Sequence, residues 1–148
     1  MTVITILGAG GKMGGRVTKP LLETKKYEVR LVEKSEAGQT RIQDAGLDVM
    51  DLDSALKGTD VVIFTTPDAL VRQISDEVVP KLDPGTKILF LDPAAIAASR
   101  VKKREDISCF VCHPTHPPVF SLLGETDPAA RRDYWGGGLA TQALVFAI

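Results

Sequence analysis

Two cysteines, two histidines, two tyrosines and one tryptophan are all this 148-residue chain holds of the residue types that most often staple, ligate or stack. Two cysteines cannot build a disulfide framework, so a small secreted scaffold is excluded and a reducing cytoplasm is the expected setting. Lys plus Arg is 18 and Asp plus Glu is 19, which leaves no basic excess to grip a nucleic acid. No apolar run reaches the roughly 20 residues that cross a bilayer. The first residues already read as a strand, so no signal peptide is expected. What is there is a chain of single-domain size, 44% hydrophobic, with enough apolar residues for a real core.

That core is organised from its beginning. Val3-Ile4-Thr5-Ile6-Leu7 is a short apolar, β-branched run that stops at Gly8-Ala9-Gly10-Gly11-Lys12-Met13-Gly14, where a helical pattern starts. Strand, glycine turn and helix are the parts of a dinucleotide-binding unit. Glycine suits the tight turn and lets a pyrophosphate approach bare backbone, and the helix N-terminus offers N–H groups to that anion. The usual G-x-G-x-x-G is broken by Met13. Two registers remain open, one through Gly8, Gly10 and Gly14 and one through Gly8, Gly11 and Gly14. A second strand, Glu28 to Val32, ends at Glu33, where an acid is expected to hold the adenosine ribose. Glu33 favours NAD over NADP because a carboxylate repels a 2′-phosphate. Lys34 and Ser35 beside it leave NADP open.

The remaining chain alternates strands and helices, which predicts an α/β, Rossmann-type doubly wound sheet, mainly parallel, with helices on both faces. A helix is expected from Lys12 to Lys25, with Pro20 kinking it or ending it early at a cost of roughly 3 kcal/mol. A helix from Ala37 to Ala45 should be closed by Gly46. Leu47 to Met50 reads as a short third strand, followed by Asp53 capping a brief helix from Ser54 to Lys57. Asp60 to Thr65 is a buried strand. Thr66, Pro67 and Asp68 follow at its ligand-facing end, where Thr66 and Pro67 should line the nicotinamide half of the site and Asp68 should either cap the next helix or contact the cofactor. Pro84-Gly85 is a turn, Lys87 to Leu91 a strand, and Asp92-Pro93-Ala94-Ala95 opens an alanine-rich helix, with Asp92 either capping it or facing substrate. Ile107 to Cys112 is a strand, and residues 140 to 148 look like another. That last run is apolar to its end, so residues 1–148 are expected to be one NAD-binding domain followed by a substrate and dimerisation domain.

Both histidines fall in His113-Pro114-Thr115-His116-Pro117-Pro118, read as a proline-stiffened loop past a strand end. Held imidazoles at that edge suit a general acid/base, a metal ligand or a substrate clamp. Cys109-Phe110-Val111-Cys112-His113 also spells the haem-attachment pattern C-x-x-C-H. In a strand the two thiols point to opposite faces, which argues against haem, a disulfide and a shared zinc site alike. Cys112 as a nucleophile has less support than a buried structural thiol, since no group that would lower its pKa is visible.

Taken together, the glycine turn, Val32-Glu33, Thr66-Pro67-Asp68, Leu91-Asp92-Pro93-Ala94-Ala95, the histidine-proline segment and Glu125-Thr126-Asp127-Pro128-Ala129-Ala130-Arg131-Arg132-Asp133 resemble the cofactor domain of D-apionate oxidoisomerases. That group has also been labelled phosphogluconate dehydrogenase-like or semialdehyde dehydrogenase NAD-binding. The resemblance implies NAD⁺-dependent oxidation of a branched sugar acid, coupled to rearrangement, giving 3-oxo-isoapionate. It implies pyrophosphate contacts from Gly11, Lys12 and Met13, a ribose contact from Glu33, and His113 at the reaction centre with His116 beside it. His113 would also be a ligand to a divalent metal, zinc or magnesium. A homodimer is the expected assembly of the full-length protein.

Competing readings are a decarboxylating 6-phosphogluconate-type dehydrogenase, a dihydrodipicolinate reductase and a non-catalytic NAD(H) sensor. The first generally uses a lysine in its second domain. The second shares the glycine turn, but its Ser-Gly-Thr substrate motif is absent here. A sensor has no need of paired imidazoles at the nicotinamide edge.

Overall fold

The computed structural model describes residues 1–115 and 142–147, with side chains described through His113. In chain order it contains β1 (Thr2–Leu7), α1 (Lys12–Thr24), β2 (Tyr27–Val32), α2 (Glu36–Asp44), α3 (Leu52–Leu56), β3 (Val61–Phe64), α4 (Asp68–Val78), a 3-10 turn (Val79–Lys81), β4 (Lys87–Phe90), α5 (Ala94–Ala97), β5 (Ser108–Thr115) and β6 (Gln142–Ala147). They form a six-stranded sheet in the order β2-β1-β3-β4-β5-β6. β1 to β5 run parallel, whereas β6 joins the edge antiparallel to β5, with Phe110 opposite Ala147 and Thr115 opposite Gln142.

Strand alternation sends apolar residues to both faces, and each face has its own core. Val62 and Phe64 pack on one side with Leu7, Val32, Ile88, Phe90 and Val111, under α3 and α4. Ile63 lies on the other with Ile4, Ile6, Leu31 and Ile42, under α1 and α2. Phe64 and Phe90 are register partners whose ring centroids are 4.7 Å apart. The buried Thr5 donates its hydroxyl to the Ala55 carbonyl at 2.8 Å, which satisfies a polar group inside the sheet and ties β1 to α3. This is the doubly wound arrangement expected from the alternation of elements.

α1 spans the expected length, through Pro20 to Thr24, so the helix does not end early at the proline; the proline is exposed, while Val17 and Leu21 on the inner face pack against the core. Three local expectations are corrected. Leu47 to Met50 is not a strand, because its described backbone bond to β2 is the single Met50 N–H donated to Leu31 O. Asp51, not Asp53, caps α3, accepting from the N–H groups of Asp53 and Ser54, and Asp53 pairs with Lys81 instead. β5 continues through His113 to Thr115, so His113 is a strand residue rather than part of a loop. The closing role of Gly46 holds: at φ +72° it donates to Gln43 O while Leu47 donates to Ile42 O, a Schellman ending.

α1 approaches the turn before it so closely that side chains are excluded. A Cβ on Gly14 would run into the carbonyl oxygens of Gly8 and Ala9, whereas one on Gly15 meets nothing within 4 Å. Gly14→Ala is therefore expected to destabilise by about 1–3 kcal/mol through overpacking. Gly15→Ala should be neutral or stabilise by up to about 1 kcal/mol, as alanine does inside a helix. Urea unfolding of the two variants checks the contrast; equal effects would contradict the packing.

Candidate functional site

The chain leaves β1, returns on one side of it as β2, then crosses to the other side as β3. Ligands bind at the carboxyl ends of strands at such a reversal. The turn there is locked by hydrogen bonds. Gly8 N–H and Ala9 N–H both donate to Val32 O, and the Thr65 hydroxyl donates to Leu7 O at 2.8 Å and Gly8 O at 3.0 Å. Gly8 adopts φ +80°, and a Cβ there would meet Thr66 at 2.9 Å. A Cβ on Gly10 would collide with the backbone of Gly38 in α2, while one on Gly11 finds its nearest neighbour at 3.3 Å. Of the two glycine registers, the crowded positions are therefore Gly8, Gly10 and Gly14. Gly11 is the N-cap of α1 and makes no side-chain cap bond there.

Glu33 stands at the end of β2 with both oxygens engaged. Oε2 accepts the Gly10 N–H at 3.1 Å, and Oε1 accepts the Ser35 N–H and hydroxyl, each at 2.9 Å. Partial burial opposes its charge, but the bonds from Ser35 and Gly10 outweigh that and hold the carboxyl below its ordinary range. The Gly10 carbonyl in turn accepts from Arg41 Nε at 2.8 Å. Gly38 and Arg41 lie one turn apart on α2 and both face Gly10.

Two cavities open over this turn and meet at Thr65, Thr66 and Pro67. The first, about 360 Å³, is lined by Gly8, Gly11, Glu33, Lys34, Ser35 and Arg41, with apolar walls from Val32, Leu52, Leu70 and Ile74. The second, about 170 Å³, is lined by Met13, Thr66, Pro67, Asp68, Asp92 and His113. Thr66 Oγ1, at their junction, is buried with no described hydrogen-bond partner. A third cavity of about 440 Å³ lies between α1 and α2, lined by Gly10, Leu22, Ala45, Leu47 and Thr18, whose Oγ1 is also buried without a described partner.

At the far end His113 reaches out of β5. Its Nδ1 lies 2.9 Å from Leu91 O, and a carbonyl can only accept. Nδ1 therefore carries a proton, and in the neutral ring Nε2 is the nitrogen with the lone pair. Asp92 Oδ2 lies 3.6 Å from Nδ1, while Oδ1 accepts the Ala94 N–H at 2.7 Å. Asp92 thus binds the first N–H of α5 and faces the histidine at once, although Pro93 and not Asp92 holds the N-cap position. Asp68 does not cap α4; Pro67 holds that position and makes no side-chain cap bond. The Asp68 carboxyl is pushed up by desolvation first and by Asp92 second, with His113 pulling it back.

The structure thus brings Gly8, Gly11, Glu33, Thr66 and Pro67 to one cavity and Met13, Asp68 and His113 to the next. Gly10 serves through its peptide. Lys12 begins α1 and lines none of these three cavities. His116 and the residues from 117 to 141 lie outside the described residues. Cys109 and Cys112 are free thiols, and burial pushes the Cys109 thiol up, as an inert structural cysteine requires. Arg41 and the Asp92–His113 pair are the site features that sequence reasoning missed. The signal for Arg41 was its spacing of three from Gly38 on a helix next to Glu33. Among the described residues, no group of three or more His, Cys, Asp or Glu side chains could hold a metal ion. They do not by themselves fit the zinc or magnesium expected at His113.

Comparison with known proteins agrees with this geometry. Residues 2–121 match the family described as acetohydroxy acid isomeroreductase, NADPH-binding domain. The chain is 45% identical over 146 residues to a protein of Cupriavidus necator named D-apionate oxidoisomerase, covering 98% of this chain and 52% of that one. It is 44% identical over 149 residues to a protein of the same name from Rhizobium rhizogenes, covering 100% and 53%. A solved structure, a semialdehyde dehydrogenase NAD-binding protein from Cupriavidus necator in complex with calcium and NAD, superposes with TM-score 0.80 at 43% identity, covering 98% and 51%. The chain spans about half the length of the curated relatives it matches.

The Glu33 bonds fix a pH dependence. Its folded pKa lies below the ordinary value of 4.5, so its stabilising contribution is complete at neutral pH and is lost as pH falls below about 4.5. The stability gap between the native chain and Glu33→Gln should therefore shrink between pH 6 and pH 3 in urea titrations. A gap that stays constant or widens on acidification would contradict the bonding.

Proposed function

The chain belongs to the acetohydroxy acid isomeroreductase NADPH-binding domain family, and on that premise we propose that it is the NAD-binding half of an NAD-dependent oxidoreductase acting on a branched sugar acid. The substrate is D-apionate, and the product of oxidation and rearrangement is 3-oxo-isoapionate. The names of the 45% and 44% identical relatives support this substrate. A second domain, carrying substrate and dimer contacts, would complete a cytoplasmic homodimer. Among the described residues no helix is long and apolar enough to cross a membrane.

The observation that carries the reading is that Glu33 and His113 occupy opposite ends of two joined cavities over one glycine turn. A dinucleotide fits the residues present. Gly8 and Gly11 leave bare backbone beneath the first cavity, and the buried Thr66 hydroxyl lacks a described partner where the two cavities meet. Gly11, Lys12 and Met13 would receive the pyrophosphate at the start of α1. Glu33 would accept the adenosine ribose hydroxyls, and Thr66, Pro67 and Asp68 would flank the nicotinamide. The nicotinamide, when bound, supplies the hydride acceptor. His113 accepts at Nε2 the proton released by the substrate hydroxyl. Asp92 holds a carboxylate oxygen 3.6 Å from Nδ1, on the far side of the ring from that proton. His116 is kept as a second imidazole on the sequence alone.

His113→Ala separates an enzyme from a cofactor sensor. In the full-length protein, NAD⁺-dependent turnover of D-apionate should fall by about 10²–10⁴-fold. NADH affinity, measured by fluorescence titration, should stay within about threefold, since the change removes a group that acts on the substrate and not on the cofactor. Unchanged turnover in the variant would contradict the role of His113.

A further inference from the structure

The matching family is described as NADPH-binding, whereas the neighbour at 43% identity holds NAD. Cofactor choice therefore varies within this range of similarity and must be set by local groups. Three groups at the end of β2 are the right chemistry for a ribose 2′-phosphate: Lys34, Ser35 and Arg41, all lining the 360 Å³ cavity. Each is already engaged. Ser35 Oγ donates to Glu33 Oε1 at 2.9 Å, and Arg41 Nε donates to Gly10 O at 2.8 Å. Lys34 Nζ donates to Glu77 Oε2 at 2.9 Å, across 43 residues of sequence.

The Lys34 bond differs from the other two. Ser35 and Arg41 are held by the β2 end and the glycine turn themselves. Lys34 is held by a carboxylate from α4, on the opposite wall of the cavity. The two side chains are 71% and 36% exposed, so the pair adds little to folding stability. Its consequence lies in what the cavity admits. Glu77 ties up the Lys34 ammonium at the rim of this cavity.

We propose that Glu77 is a specificity-determining residue that selects NAD against NADP by holding Lys34 across the adenosine cavity. The proposal rests on the NAD-binding reading above. With Glu77 present, an entering 2′-phosphate meets the Glu33 carboxylate and a lysine already paired. Without it, the lysine stem is free to swing back beside Ser35 and Arg41 and meet the phosphate.

The test is a fluorescence titration of the protein with NADH and with NADPH, in the native form, in Glu77→Gln and in Lys34→Gln/Glu77→Gln. The native protein should bind NADH more tightly than NADPH. Glu77→Gln should shift the affinity ratio toward NADPH by about tenfold, the scale of one released lysine charge meeting a phosphate within a Debye length. The double variant should lose that shift. An unchanged ratio in Glu77→Gln overturns the proposal. So does a shift that survives in the double variant, because Glu77 then acts through space and not through Lys34. A native protein that binds neither nucleotide overturns the NAD-binding reading itself, which separates the two failures.

Discussion

Everything at this site depends on backbone pressed against backbone. Gly10 meets Gly38 of α2, and Gly14 meets the carbonyls of Gly8 and Ala9, with no room for a Cβ at either glycine. These contacts bring the start of α1, the end of β2 and the first turn of α2 to one point. They also bring Glu33 within 3.1 Å of the Gly10 N–H and Arg41 within 2.8 Å of its carbonyl. A single residue is thus held through both of its backbone groups by opposite charges, and the glycine turn becomes a rigid seat. Close-packed contacts of this kind have little freedom to relax, which is why they can position a site.

From that seat the sheet distributes the chemistry. β3 ends beside β1 and β4 beside β3, leading into Thr65 to Pro67 and Leu91 to Asp92, while β5 runs far enough to bring His113 to Leu91. The parallel strands give one edge at which the Glu33 carboxylate and the His113 imidazole both arrive. The Leu91 carbonyl then fixes the tautomer of His113, so the strand that precedes the site also sets which nitrogen is available to it. Position and protonation state follow from the same register.

Much of this was legible in the sequence. Apolar runs such as Ile4 to Leu7 and Val61 to Phe64 are buried on both faces, and only a sheet with helices on both sides explains them. Glu33 could be placed because strand length and glycine spacing put it there. What was not legible depended on partners distant in sequence. Leu47 to Met50 has strand composition, but the neighbouring strand offers it only one described bond. Asp51 and Asp53 are equally good caps on paper, and the burial of Ala55 and Leu56 decides between them. Periodicity carries no direction, so the antiparallel β6 could not be foreseen, and proline chemistry suggested a loop where β5 continues through Pro114. Arg41 and Glu77 reach the site only across the fold.

On the proposed reading NAD lies along the joined cavities from Glu33 to His113, and not in the larger space between α1 and α2. Backbone amide NMR of the ¹⁵N-labelled protein during NAD⁺ addition distinguishes the two places. The amides of Gly8 to Met13, Glu33 to Ser35 and Thr65 to Asp68 should shift together along one binding curve, while those of Leu22, Ala45 and Leu47 stay in place. Shifts concentrated at Leu22, Ala45 and Leu47, with the Glu33 and Thr66 amides unmoved, would contradict it.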